Sequence, residues 1–181
     1  MPEQGPGTFT TVAMEDRGGV VGGRSRTLYR VEVEDRLPLS KNVFARIVDA
    51  TLADARGWGG GNQYRLDRTS GVAAIRVVLA TPATTDLLCA PLATNGRVSC
   101  RNGSDVVINA WRWVHGAPSY RGDLANYRRY VINHEVGHAL GRPHQTCPRP
   151  GAATPVMLQQ TLGLQGCRRN PWPVNVDLIN D

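Results

Sequence analysis

Three of the chain's four histidines, His134, His138 and His144, stand within the single stretch Asn133–His144, which reads N-H-E-V-G-H-A-L-G-R-P-H. His134 and His138 are spaced so that, on a helix, both imidazoles leave one face a turn apart and can hold one ion. Glu135 follows the first of them, placed to reach toward such an ion without binding it. Gly141 predicts the end of that helix, because glycine enters the left-handed conformation at little steric cost and lets the chain reverse. The reversal returns His144 toward the same point. Three neutral imidazoles leave a fourth tetrahedral position for water, which is the donor set of one catalytic zinc ion rather than of a closed structural one. A bare H-E-x-x-H arises by accident fairly often. The extended form, with a glycine and a third histidine at fixed offsets, rarely does.

The stretch resembles the signature of the metzincin clan of zinc peptidases, H-E-x-x-H-x-x-G-x-x-H followed by a turn containing methionine. Pro155-Val156-Met157-Leu158-Gln159 supplies such a turn. The resemblance implies that Met157 forms a hydrophobic floor beneath the metal ligands; taken alone, Met157 reads as core filler. Five segments are together similar to an actinobacterial family of exported, functionally uncharacterised metzincin-type domains. They are YRVEVE (Tyr29–Glu34), TTDLLCAPL (Thr84–Leu92), NHEVGHALG (Asn133–Gly141), PVMLQQT (Pro155–Thr161) and CRRNPWP (Cys167–Pro173), spread over most of residues 27–173. The likeness implies export, an extracellular or cell-surface location, and a leader or membrane anchor outside these residues. The sequence departs from astacin-like metzincins, in which a tyrosine two residues past the methionine can contact the zinc, because Gln159 stands there. Gln145 occupies the place where several metzincin families carry a family-specific residue.

The activity so implied is zinc-dependent endopeptidase action on protein or peptide. A water acidified by zinc would lose its proton to Glu135, which passes it to the leaving amine. Tyr120, Tyr127, Tyr130, Gln159 and Gln160 are candidates to assist at the oxyanion or to touch substrate, each with a plainer reading as a packed ring or a solvated amide. A second class of function shares the motif: a zinc-binding, peptidase-like module that binds cell-surface protein or peptidoglycan without proteolysis. The intact Glu135 speaks against it, since a retired enzyme often loses its base first.

These residues need a scaffold. A chain of 181 residues makes one domain and buries about 70% of its unfolded surface without a partner, so a monomer is expected. The order of patterns predicts an α+β fold, a mixed sheet backed by two helices; in the metzincin likeness the sheet is twisted and one of the helices carries the first two ligands. Residues 1–26 read as a Gly-rich extension (Gly18-Gly19, Gly22-Gly23) with one strand at Phe9–Ala13. Residues 27–141 form an upper sheet-and-helix subdomain, and 142–181 a short, irregular C-terminal one carrying the Met-turn. Thr27–Glu34 alternates, with Tyr29, Val31 and Val33 opposite Arg30, Glu32 and Glu34, as a half-buried strand does. Ser40 can cap a helix to about Ala55, ended by Gly57 and Gly59-Gly60-Gly61. Ala73–Ala80 suits a central strand. Asp105–Trp111 reads as another, with Trp111 and Trp113 on one face and His115 just beyond, and Arg97–Cys100 as an edge strand. Asp123 caps a helix over Leu124–Leu140. A substrate peptide would add to the edge at Arg97–Cys100 or the flank of Asp105–Asn109. Leu158–Gly166, with Leu158, Leu162 and Leu164, would wall a side-chain pocket.

Cys89, Cys100, Cys147 and Cys167 suit two disulfides in an oxidising compartment better than a zinc site, because no Cys-x-x-Cys occurs. Three pairings are possible. Cys89–Cys100 and Cys147–Cys167 close the shortest loops, and free buried thiols are the alternative. The net charge of +6 comes almost wholly from scattered Arg, with Lys41 the only lysine and Arg128-Arg129 and Arg168-Arg169 the only doublets. That distribution argues against a nucleic-acid partner. No apolar run approaches the roughly 20 residues that span a bilayer.

Overall fold

The computed structural model describes residues 1–14, 26–59 and 64–179. The turn signals at Gly18-Gly19, Gly22-Gly23 and Gly60-Gly61 lie outside the described residues. Among these the chain is a mixed α+β structure with a six-stranded sheet and five α-helices. Strands β2 (Arg26–Glu34), β4 (Ile75–Ala80) and β6 (Asp105–Asn109) run parallel through the centre. At one edge β2 pairs with β1 (Phe9–Thr11), antiparallel, and with β3 (Arg65–Arg68), parallel. At the other edge β5 (Cys100–Asn102) lies antiparallel to β6.

Alternation along the strands divides the core into two layers. Val77, Leu79, Val106 and Ile108 face one side, where they meet α1 (Lys41–Leu52) and α4 (Leu124–Ala139). Val78, Ala80 and Val107 face the other, against the disulfide Cys89–Cys100 and the helix α2 (Pro82–Cys89). Ser40 caps α1 by accepting the Val43 amide at 3.3 Å, and Asp123 caps α4 by accepting that of Asn126 at 3.2 Å. Each cap fixes the first turn of a helix whose apolar stripe then lies on the sheet.

β2 departs from a half-buried strand, because Glu32 and Glu34 on its polar side are buried too. The Glu34 carboxylate accepts the amides of Thr81 (2.6 Å) and Gly7 (3.0 Å) and the Thr84 hydroxyl (2.7 Å). Glu32 accepts Arg76 at 2.5 Å and Arg30 at 2.8 Å. Burial of these charges is tolerated because each is met by donors. The described N-terminal residues are thereby built into the sheet, with β1 at the edge opposite β5.

Four local expectations are corrected. Helix α1 stops at Leu52 rather than Ala55. The edge strand is Cys100–Asn102 rather than Arg97–Cys100, and Asp105–Asn109 is internal rather than a free flank. The strand from Asp105 ends at Asn109, not Trp111: the Asn109 side chain accepts the amides of Trp111 (2.9 Å) and Arg112 (3.3 Å) and starts a helix, α3 (Ala110–His115). Trp111 and Trp113 therefore sit on a helix, and His115 is exposed, its ring 4.5 Å from that of Trp111. Within Thr84–Leu92 the chain is helical as α2, begun by Pro82, whose missing amide proton costs nothing in a first turn.

After Gly141 the chain is irregular apart from α5 (Asn175–Leu178). The second disulfide, Cys147–Cys167, closes part of this region. Two disulfides fit an oxidising, extracellular environment. Among the described residues no helix is long and apolar enough to cross a membrane.

Candidate metal centre

Helix α4 positions the first two histidines. Between Tyr130 and Gly137 every residue is buried, because the sheet covers one side of the helix and the C-terminal segment the other. The helix ends on a complete reversal. Gly141 takes φ +82°, the Arg142 amide bonds the Gly137 carbonyl at 2.9 Å, and the Gly141 amide bonds that of His138 at 3.1 Å. That is the paired closure a C-terminal glycine allows. It does more than end the helix, since the Arg142 carbonyl it delivers lies 2.8 Å from Nδ1 of His138.

His134 is held in the same manner. Its Nδ1 lies 2.8 Å from the Val156 carbonyl in the methionine turn. A carbonyl only accepts, so both Nδ1 atoms carry the proton and both Nε2 atoms present lone pairs. These lone-pair nitrogens face each other at 3.3 Å, and Nε2 of His144 stands 3.0 Å from that of His138. All three candidate ligand nitrogens fall within 4.8 Å of one another. Nitrogens around a tetrahedral ion bound at about 2.0–2.1 Å are about 3.3 Å apart. Two acceptors fixed so close repel unless a cation lies between them, so the donor set fits one metal ion.

The electrostatics agree. Burial, reinforced by the neighbouring His138, pulls His134 down to about 3. Burial likewise lowers His138 and His144. All three imidazoles are thus neutral at physiological pH and free of proton competition for a metal. Glu135 is buried, and desolvation pushes its carboxyl up to about 8.

Met157 is fully buried beneath α4. Gly137, immediately before His138 on the helix, makes room for it: a Cβ there would collide with the Met157 side chain and come within 2.6 Å of the Trp58 ring. Trp58 is itself pinned by its indole N–H to the Asn133 carbonyl at 2.9 Å. The Met157 carbonyl accepts the Gln145 amide at 3.1 Å, tying the chain just past His144 to the floor. Gln145 contributes its backbone here.

Sequence reasoning missed Asp177. Its carboxylate accepts the amides of Val156 (2.9 Å), Met157 (3.1 Å) and Val174 (2.8 Å). The peptide joining Val156 to Met157 therefore receives His134 on its carbonyl and gives its N–H to Asp177. Burial raises the Asp177 carboxyl, against these amides, which lower it. Asp177 lies in the short helix α5, where its contact with the Val174 amide is local, but nothing nearby in the sequence signals its reach to Val156 and Met157.

Other candidates are placed elsewhere. Tyr120 donates to Gln160 Oε1 at 2.9 Å, and Gln160 Nε2 donates to the Asn170 carbonyl at 2.7 Å. The Tyr127 hydroxyl meets Thr161 at 3.2 Å, and Tyr130 donates to the Leu158 carbonyl at 3.3 Å. All four are buried, so they knit the helix to the C-terminal segment. Gln159 is exposed, Leu158 is core, and Leu162 stands out in solvent.

No curated protein and no solved structure matches the chain. One family does, over residues 1–175, and is described as a protein of unknown function, DUF3152. The chain, with its three-histidine centre, belongs to the DUF3152 family.

Proposed function

We propose that the chain is a zinc-dependent endopeptidase of metzincin type, exported and acting outside the cell on protein or peptide. The observation that carries this reading is the convergence of three Nε2 atoms, two of them locked by backbone carbonyls, with a buried glutamate next to the first in the helix and a buried methionine packed against that helix at Gly137. His134, His138 and His144 would hold the ion, and a set of three neutral nitrogens with no thiolate suits Zn²⁺ with a position left open. Zinc so held supplies Lewis acidity, polarising a carbonyl and acidifying water.

Glu135 is the proton carrier. Burial raises the proton affinity of its carboxyl above that of a solvated glutamate, the direction that suits a group which must take up a proton and then release it. It takes the proton from the attacking water and gives it to the departing amine. The Val156 carbonyl holds the first imidazole in place, and the Arg142 carbonyl holds the second. Tyr120, Tyr127, Tyr130 and Gln160 have their polar atoms committed to the fold, so none is assigned to the oxyanion.

The test combines metal analysis with turnover. One equivalent of zinc per chain is expected after loading at neutral pH. Glu135→Gln should keep that zinc and lose peptide hydrolysis by about 100-fold or more. A chain that takes up no zinc, or a variant that cuts as fast as the parent, would overturn the reading.

A further inference from the structure

We propose that Arg101, on the free edge of the sheet beside the metal centre, recognises a carboxylate on a peptide docked along that edge, so that the site selects acidic substrates. The inference rests on the peptidase reading and names its substrate class.

Strand geometry sets the direction of the side chain. Cys100 turns toward α2, where it is bonded to Cys89. Asn102 turns the same way, donating to the carbonyls of Leu88 (2.9 Å) and Ala90 (3.0 Å). Successive residues of a strand alternate faces, so Arg101 between them points to the opposite side, the one covered by α4. Its partner across the ladder, Val106, belongs to the core on that side. Strand β5 packs against α4, the helix that carries His134 and His138.

Arg101 is also unused by the fold. It is exposed, and among the described residues it makes no ion pair or side-chain hydrogen bond. Arg97, just before the same strand, behaves otherwise: it is paired with Glu3 at 3.0 Å and lies over the Trp111 ring at 4.9 Å. Among the described residues β5 pairs only with β6, which leaves its outer edge to accept an extended peptide. A peptide there presents alternate side chains to the α4 side, next to a planar guanidinium that fits a carboxylate in bidentate fashion. The net charge of +6 further favours the approach of an acidic chain.

The test uses fluorescein-labelled decapeptides of Ala and Leu with one Asp moved through every position, matched by Asn at the same place. Each is made with a free and with an amidated C-terminus, to separate a side-chain carboxylate from a terminal one. Binding is read by anisotropy on zinc-loaded Glu135→Gln protein, which should not turn over, and cleavage on the parent. At one register Asp should be bound and cut about fivefold or more better than Asn. The preference should shrink in high salt, vanish in Arg101→Ala and reverse in favour of Asn in Arg101→Glu, with zinc content unchanged. Equal treatment of Asp and Asn, or a preference that survives Arg101→Ala, overturns the assignment while cleavage keeps the peptidase reading. Acid binding that depends on Arg101 without any cleavage by the parent keeps the assignment and overturns that reading. Peptides neither bound nor cut overturn both.

Discussion

At the scale of single residues, the centre depends on which atom each imidazole spends on the protein. His134 and His138 both spend Nδ1 on a carbonyl, and the carbonyl of Val156 is held in turn through the Met157 amide by Asp177. An anion relayed through a peptide raises the pull on the imidazole proton and so the basicity of the ligating nitrogen, as outer partners of metal ligands generally do. Removing it also strands the two buried amides of Val156 and Met157, each costing about 1–3 kcal/mol when left without an acceptor. Asp177→Ala should therefore weaken zinc affinity by about 10- to 100-fold, read by competition with a chromophoric chelator, and lower Tm by several degrees. An affinity equal to the parent's would reduce Asp177 to a structural staple. The clustering of His134, His138 and His144 was legible in the sequence because helical spacing and one glycine determine where their rings go. Asp177 was not, because its role arises from a contact across 20 residues of irregular chain, and nothing in its neighbours announces which backbone it will cap.

Elements with a strong local signal were legible in the same sense. Ser40 and Asp123 mark helix starts by hydrogen bonds that need only their own next turn, and the apolar run read over Ala73–Ala80 is a central strand, beginning at Ile75. The misreadings came where a short polar residue competed with an apolar pattern: Asn109 ends a strand and caps α3, turning two tryptophans that read as strand residues into helix residues. Gly137 poses the opposite question, a helix-interior glycine whose reason is tertiary. Helix propensity alone would reward Gly137→Ala by about 1 kcal/mol. The added methyl, though, meets Met157 and comes within 2.6 Å of the Trp58 ring, and overpacking costs about 1–3 kcal/mol. The Met tip can yield, but the indole is fixed by its bond to Asn133 and is fully buried. Packing should win, lowering Tm by about 2–6 °C for a chain of this size and disturbing zinc uptake. A Tm at or above the parent's would show that helix and floor are not in tight contact.

At the scale of the whole molecule, the two sides of the metal centre are stabilised by different means. His134 and His138 ride on a helix fixed by the sheet core, whereas His144 is exposed on an irregular segment. That segment is tied back by the Gln145 amide to Met157 and by the Cys147 amide to Gln165 at 3.0 Å. The Cys147–Cys167 bridge, at a sequence separation of 20, closes the loop that follows His144 and contains Met157, a loop worth about 3 kcal/mol in the chain-entropy model. The Cys89–Cys100 bridge instead ties α2 to β5 on the far face of the sheet. The two bridges should therefore separate in experiment. Cys147→Ser with Cys167→Ser should release His144 and cost most of the zinc affinity while far-UV circular dichroism stays close to the parent's, because the sheet and α4 do not need that loop closed. Cys89→Ser with Cys100→Ser should lower Tm yet leave the affinity of the folded fraction nearly unchanged. If both pairs lowered affinity only in step with unfolding, the three imidazoles would be positioned by the core alone, and the bridge past His144 would have no part in holding the metal site together.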